Sequence, residues 1–170
     1  MDCTTNENVI ENKTKVGEPT ALNSVSEFHQ MFELPILDKP VIPSKERCEL
    51  RINLIEEELR ELKEAIANDD LVEAADALCD IQYVLSGAIL EFGMGSRFQS
   101  MFDEVHRSNM SKTCKTLEEA KNTQAYYKTQ KHTDSEINER NGQFLVYRKG
   151  DGKVLKSVKY SPAVLESFLG

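Results

Sequence analysis

Ten carboxylates fall within one stretch, Ile55 to Leu85, and six of them, Glu57, Glu58, Glu61, Glu73, Asp76 and Asp80, recur among its apolar residues in two helical patterns. Residues three and four apart share a helix face. Glu57 and Glu58 therefore each share a face with Glu61, as do Glu73 with Asp76 and Asp76 with Asp80. The polar break Asn68-Asp69-Asp70 separates the two runs and suits a helix–helix turn. Counted outward from residue 69 as an antiparallel pair, Glu61 comes level with Ala77, and Glu57–Glu58 with Cys79–Asp80, since each residue advances a helix by about 1.5 Å. Carboxylates crowded in this way either raise one another's pKa or gather a cation. An all-oxygen donor set suits Mg2+ or Mn2+.

A plainer reading exists, because glutamate-rich helices are usually just solvated. It fits the second run poorly. Aspartate is a weak helix former, yet Asp76 and Asp80 interrupt the most apolar helical run of the chain, Leu71-Val72…Ala74-Ala75…Ala77-Leu78…Ile81…Val84-Leu85. Carboxylates there carry a cost that metal binding would offset. Glu73 is weaker testimony, since Asp70 and Glu73 also form a capping box.

The rest of the chain must position this stretch. At 170 residues the length fits one domain with a proper core, and 39% hydrophobic with 29% charged residues fits a soluble globular protein. A net charge of −8 argues against a nucleic-acid polymer as partner. Cys3, Cys48, Cys79 and Cys114 form no CxxC pair, which favours reduced thiols and a cytoplasmic setting. No apolar run is long enough to span a membrane. Residues 1–22 read as a flexible leader, and 23–170 as the folded domain.

A first helix is expected with Ser24 as N-cap, Glu27 completing a capping box, and Phe28, Met31 and Phe32 inward. Pro35, Pro40 and Pro43 impose an extended connection. Ser44 then caps a long helix, Lys45 to Ala67, and the next runs from Asp70 to about Glu91, ended by Gly93 and Gly95. Ser96 and Gln99 offer a box for a third long helix with Phe98, Met101, Phe102 and Val105 on its apolar face. Its C-terminal end gathers His106, Arg107, Asn109 and Lys112, a cationic and amide-bearing cluster that complements the helix dipole or meets what a triphosphate would need. Thr116 and Glu119 start a more polar helix through about His132, whose Tyr126-Tyr127 pair suits packing. Thr133 to Gly142 reads as a polar loop. FLVYRKGDGKVLKSVKY then reads as a hairpin over 143–160 turning at Gly150-Asp151-Gly152, which would group Arg148, Lys149, Lys153, Lys156 and Lys159. Ser161-Pro162 opens a final short helix.

With these pieces placed, the chain resembles the all-α nucleoside-triphosphate pyrophosphohydrolases, the MazG-like superfamily that includes phosphoribosyl-ATP pyrophosphohydrolase and the dimeric dUTPases. The resemblance rests on EExxE at Glu57, Glu58 and Glu61, ExxD at Glu73 and Asp76, DALCDIQYVLSG from Asp76, VHRSNMSK from Val105, and DGKVLK…YSPA from Asp151. It covers roughly Phe28 to Leu165, and the segment Thr116 to Arg148 is longer than the link expected between its last two blocks. It implies a mainly α fold, a helical bundle with a small C-terminal β-hairpin, completed by homodimerisation. It also implies an enzyme that cuts a nucleoside triphosphate between its α- and β-phosphates. By position Glu58, Glu61, Glu73 and Asp76 would bind Mg2+, with Mn2+ an alternative. Glu57 would be a further ligand or the base, a role Glu58 shares. Asp80 would support the ligands from behind. Asn109 and Lys112 would meet the phosphates or sugar, and Lys153 and Lys156 would close over the phosphates. Phe28, His29 and Tyr83 are candidates for base contact. The alternatives are phosphoribosyl-ATP as substrate, and a non-catalytic helical module with an acidic binding face.

Overall fold

A computed structural model describes Gly17 and residues 19–170. In chain order the elements are α1 (Ala21–Met31), α2 (Lys45–Ala67), α3 (Leu71–Glu91), a 3-10 turn (Gly95–Arg97), α4 (Phe98–Met110), α5 (Leu117–Lys131), β1 (Ser135–Arg140), β2 (Gln143–Arg148) and α6 (Glu166–Leu169). The mainly α fold with one small two-stranded hairpin is as expected. Most of the leader lies outside the described residues, and α1 takes its last two positions, Ala21 and Leu22. Cys48, Cys79 and Cys114 are free thiols, while Cys3 lies outside the described residues. Among the described residues no single helix is long and apolar enough to cross a membrane.

The chain forms two compact units. Of the described residues, those up to Leu34 join Arg51–Gly87 in one; Pro35–Leu50 join Ala88–Gly170 in the other.

In the first unit, α1 begins earlier than its capping signal. Thr20 precedes it with no side-chain cap, and Ser24 lies inside the helix. The buried face is Val25 and His29, four residues apart, while Met31 and Phe32 are exposed and Phe28 borders on it. Ranking positions by side-chain apolarity misplaced that face, because the buried partner is a guanidinium. Arg51 on α2 lies 3.1 Å from His29 Nε2, and both residues are buried. Gly87 on α3 permits this contact: a Cβ there would lie 2.5 Å from Arg51 Nη1 and 3.1 Å from His29 Nε2. The buried apolar residues of this unit are few and small, Val25, Ala65 and Ala77. Ile52, Leu59 and Ile66 on α2 stay exposed at seven-residue spacing, and so do Leu71, Leu78 and Leu85 on α3. Each helix thus presents an apolar stripe to solvent.

In the second unit, Ser44 Oγ accepts the Arg47 N–H at 3.4 Å where α2 starts, as its cap position requires. Arg47 grips the fully buried Glu91 carboxylate with both arms of its guanidinium, Nε at 3.0 Å. Ser96 does not cap α4; the chain makes a 3-10 turn there, and Gln99 instead donates to Asp103 at 2.9 Å. Thr116 does cap α5, accepting the Glu119 N–H at 3.1 Å. Glu119 then turns inward. It accepts from Lys115 N at 3.2 Å and from the Ser157 hydroxyl, and it is 6% exposed. Cys114, Ala120, Val146 and Leu155 form the apolar core beside it, with Tyr127, Ile137 and Phe144 packed around.

The hairpin lies elsewhere than expected. FLVYR is a strand, but it pairs antiparallel with the preceding Ser135–Arg140, in register from Ser135–Arg148 to Arg140–Gln143. The cause is Asn141-Gly142, with φ of 51° and 71°: two consecutive left-handed residues make the turn whose twist matches paired strands. The supposed polar loop 133–142 therefore contains β1. The expected second strand reduces to a single bridge, Tyr147–Val154, because Asp151 binds the Arg148 guanidinium and folds residues 149–152 into a local turn. Residues 161–165 are not helical either, and α6 begins only at Glu166.

Gly142→Ala would place a Cβ on a left-handed residue at no gain in contacts. A loss of about 1 kcal/mol in urea-unfolding free energy is expected; an unchanged midpoint would show that the turn does not hold the hairpin.

Candidate functional site

All six carboxylates lie on α2 and α3 within the first unit. Glu57, Glu61, Glu73 and Asp76 are exposed, while Glu58 and Asp80 are half-buried. The Glu58 carboxyl is held above its ordinary value of 4.5, by burial first and then by the negative charges of Asp80, Glu61, Glu57 and Asp76. Two carboxylates of α3 act on Glu58 of α2, and Asp80 acts more strongly than Asp76. The antiparallel turn counted from residue 69 predicts that pairing. Asp69, with φ of 56°, reverses the chain between the helices.

Glu73 is not among the charges that raise Glu58. Its capping role also falls away. Asp70 Oδ1 accepts the N–H groups of Val72 at 3.0 Å and Glu73 at 3.1 Å, but the Asp70 N–H donates to Ala65 O at 2.9 Å rather than to Glu73. The Glu73 carboxylate has no hydrogen-bond or ion-pair partner among the described residues. Arg60 touches the cluster loosely, 3.9 Å from Glu57.

No three His, Cys, Asp or Glu side chains among the described residues close around a point that would hold a metal ion. The carboxylates converge closely enough to raise Glu58, yet they do not form a preformed cage. Their chemistry still fits a hard divalent cation: every donor is an oxygen, the stems are flexible, and the helices beneath them are fixed. Burial first and uncompensated negative charge second hold Glu58 up, and a cation would offset the charge contribution.

The sequence-predicted cationic residues belong to the second unit. Lys112 Nζ donates to Asn109 Oδ1 at 2.7 Å past the end of α4. Lys112 O accepts the Ser157 N–H, which ties that corner to the segment bearing Lys156. Lys156 Nζ lies 4.2 Å from the centre of the Tyr160 ring. The Tyr160 hydroxyl pairs with Ser108 Oγ at 3.0 Å and is acidified, chiefly by that bond and then by the charges of Lys156 and Lys112. Lys156 and Lys112, the latter bonded to Asn109, thus act on Tyr160, a residue that sequence reasoning did not single out although it begins the YSPA block. The Lys153 backbone N–H donates to Asp151 Oδ1 at 3.2 Å. The Arg148 charge is engaged by Asp151, whose carboxyl is held down to about 2 by that bond. Arg107 is likewise engaged by Glu104.

Of the three base-contact candidates, His29 is buried against Arg51, and Phe28 meets Tyr83 edge-on at 5.7 Å. Tyr83 also borders a cavity of about 570 Å3 with Thr20, Ser24, Leu78, Cys79 and Gln82. It lies one turn beyond Asp80 on the same helix. Only the Asp76–Asp80–Tyr83 spacing hinted at this in the sequence.

The family model described as phosphoribosyl-ATP pyrophosphohydrolase matches residues 25–109, half of the chain. Enzymes of that family generally depend on a divalent metal. An uncharacterized protein of Acanthamoeba polyphaga mimivirus is 36% identical over 99 residues, covering 52% of this chain and 39% of that protein. The chain therefore spans well under half the length of this relative.

In metal-free protein, Asp80→Asn removes the largest charge acting on Glu58, so its titration midpoint should fall back toward 4.5. The sign follows for stability as well. A raised folded value means the fold binds the proton more tightly than the unfolded chain, so stability declines as pH rises through the window just above 4.5, and Asp80→Asn shrinks that decline. Carboxylate NMR would read the midpoint; no movement would remove Asp80 from the cluster.

Proposed function

Because this chain belongs to the phosphoribosyl-ATP pyrophosphohydrolase family, within the MazG-like all-α nucleoside-triphosphate pyrophosphohydrolases, we propose that it hydrolyses the α–β phosphate bond of a nucleoside triphosphate. The products are a nucleoside monophosphate and pyrophosphate, and the role is removal of unwanted nucleotides. The observation that carries this reading is the family match over residues 25–109, which spans the α2 and α3 stretch bearing all six carboxylates.

Glu58, Glu61, Glu73 and Asp76 would hold Mg2+ or Mn2+, with Asp80 supporting them; the bound ion would supply positive charge to the phosphate oxygens and acidify water. Glu57 or Glu58 would take the proton of the attacking water as the phosphorus–oxygen bond to the leaving pyrophosphate breaks. Asn109, Lys112 and Lys156 would bind phosphate or sugar oxygens, with Lys153 assisting. Tyr83, on the border of its cavity, remains the candidate for base contact.

The exposed stripes Ile52–Leu59–Ile66 and Leu71–Leu78–Leu85, beside a core of small residues, favour a homodimer through α2 and α3. Apolar stripes on neighbouring helices are stabilised when a second pair covers them. A second reading, phosphoribosyl-ATP as substrate, is favoured by the description of the matching family model.

A panel of nucleoside and deoxynucleoside triphosphates together with phosphoribosyl-ATP, assayed for pyrophosphate with Mg2+ and with Mn2+, separates these readings. Release from none of them would leave only a binding module. Glu61→Gln and Asp76→Asn are each expected to reduce turnover at least 100-fold while circular dichroism stays unchanged; full activity in either variant would refute its place among the ligands. Leu59→Glu combined with Leu78→Glu should give a monomer by light scattering, and a monomeric parent protein would sink the dimer.

A further inference from the structure

The second unit carries a separate basic cavity that none of the chemistry above uses. About 410 Å3 in volume, it is bordered by Lys121, Gln124 and Lys128 of α5, by Asp134 and Ser135 at the start of β1, and by Lys149 just past β2. The segment that forms it, 121–149, lies beyond the family match at 25–109. Lys121 and Lys128 are seven apart and so share a face of α5. The hairpin register sets Ser135 opposite Arg148, and the Lys149 N–H donates to Asp134 O at 3.0 Å, which brings Lys149 to the same end. Gln124 Nε2 donates to Ser135 O at 2.7 Å and fixes α5 against that end.

Two observations point to a ligand. First, the three ammonium groups have no ion-pair partner among the described residues. Against the single carboxylate of Asp134 they leave a net charge of +2 (three less one). Second, Ser135 is 7% exposed, and its Oγ is buried without a hydrogen-bond partner among the described residues. A buried hydroxyl is nearly always paired, and one that is not calls for a partner. Ser135 itself borders the cavity.

We propose that this cavity binds the phosphoryl dianion of a small phosphorylated molecule. Lysine is a point-charge donor suited to phosphate. A dianion matches the net +2, and the Ser135 hydroxyl gives one directed bond. Asp134 opposes an anion and limits the affinity.

The test is an amide-resolved NMR titration of the full chain at low salt with inorganic phosphate, adenosine monophosphate and adenosine. Phosphate and the monophosphate should produce saturable shifts at residues 124, 135 and 149, and adenosine none. Lys121→Gln, Lys128→Gln and Lys149→Gln should each weaken binding roughly two- to fivefold, the range for single exposed charge contacts. Ser135→Ala should weaken it too, while Lys131→Gln, whose side chain lies outside the cavity, should leave it unchanged. Shifts that do not saturate, shifts confined to 109–112 and 153–156, equal losses with Lys131→Gln, or equal shifts with adenosine would each overturn the proposal.

Discussion

Negative charge concentrated on two rigid helices is the constraint around which the first unit is arranged. Helix geometry fixes where the carboxylates of α2 and α3 sit, so repulsion cannot be relieved by moving the backbone. It is relieved only by proton uptake, by side-chain rotation or by a cation. Glu58 records that tension, being half-buried and raised by four neighbours. The supports are local: Asp70 holds the first turn of α3, and Asp69 adopts a left-handed conformation to reverse the chain. A polar pair, Arg51 with His29, fills space that a large apolar side chain would otherwise take.

The second unit meets a different demand, because its C-terminal segment has little regular structure of its own. Residues 155–161 are held by a few backbone bonds, from Leu155 to Val146 and from Ser157 to Lys112, and by side chains. Glu119 accepts from Ser157, Thr123 Oγ1 accepts the Val158 N–H at 3.1 Å, and Ser111 Oγ accepts the Ser161 N–H at 3.0 Å. Satisfied buried polar networks define position sharply, since each member left unpaired costs free energy. Tyr160 is delivered beside Ser108 and the two lysines by this lacing, not by a strand.

What the sequence disclosed follows from the range over which each determinant acts. α2, α3 and α5 were legible almost to the residue, because their caps, Ser44, Asp70 and Thr116, act within three or four residues. The carboxylate convergence was legible because helical spacing and one short turn fix it. α1 was misjudged where tertiary contact outweighed side-chain type: His29 and Val25 are buried in place of Met31 and Phe32. The capping patterns at Ser24 and Ser96 were real as spacings, but the chain began its helices elsewhere. The hairpin falls earlier than the basic stretch suggests: SEINER looks polar, yet Asn141-Gly142 is the strongest turn signal in the region and sets its register. The pairing of Tyr160 with Ser108 is a contact some fifty residues apart, which no local pattern encodes.

That same two-residue turn also sets a time order. Its register brings together residues from 3 to 13 positions apart, so closing it sacrifices little chain entropy. Hairpins of this kind zip within about 1–10 μs. The bridge from Cys114 to Phe144 and the bond from Ser157 to Lys112 must close loops of 30 and 45 residues. β2 is therefore the natural template of its unit: a ribbon already formed when α5 and the C-terminal segment arrive to cover it.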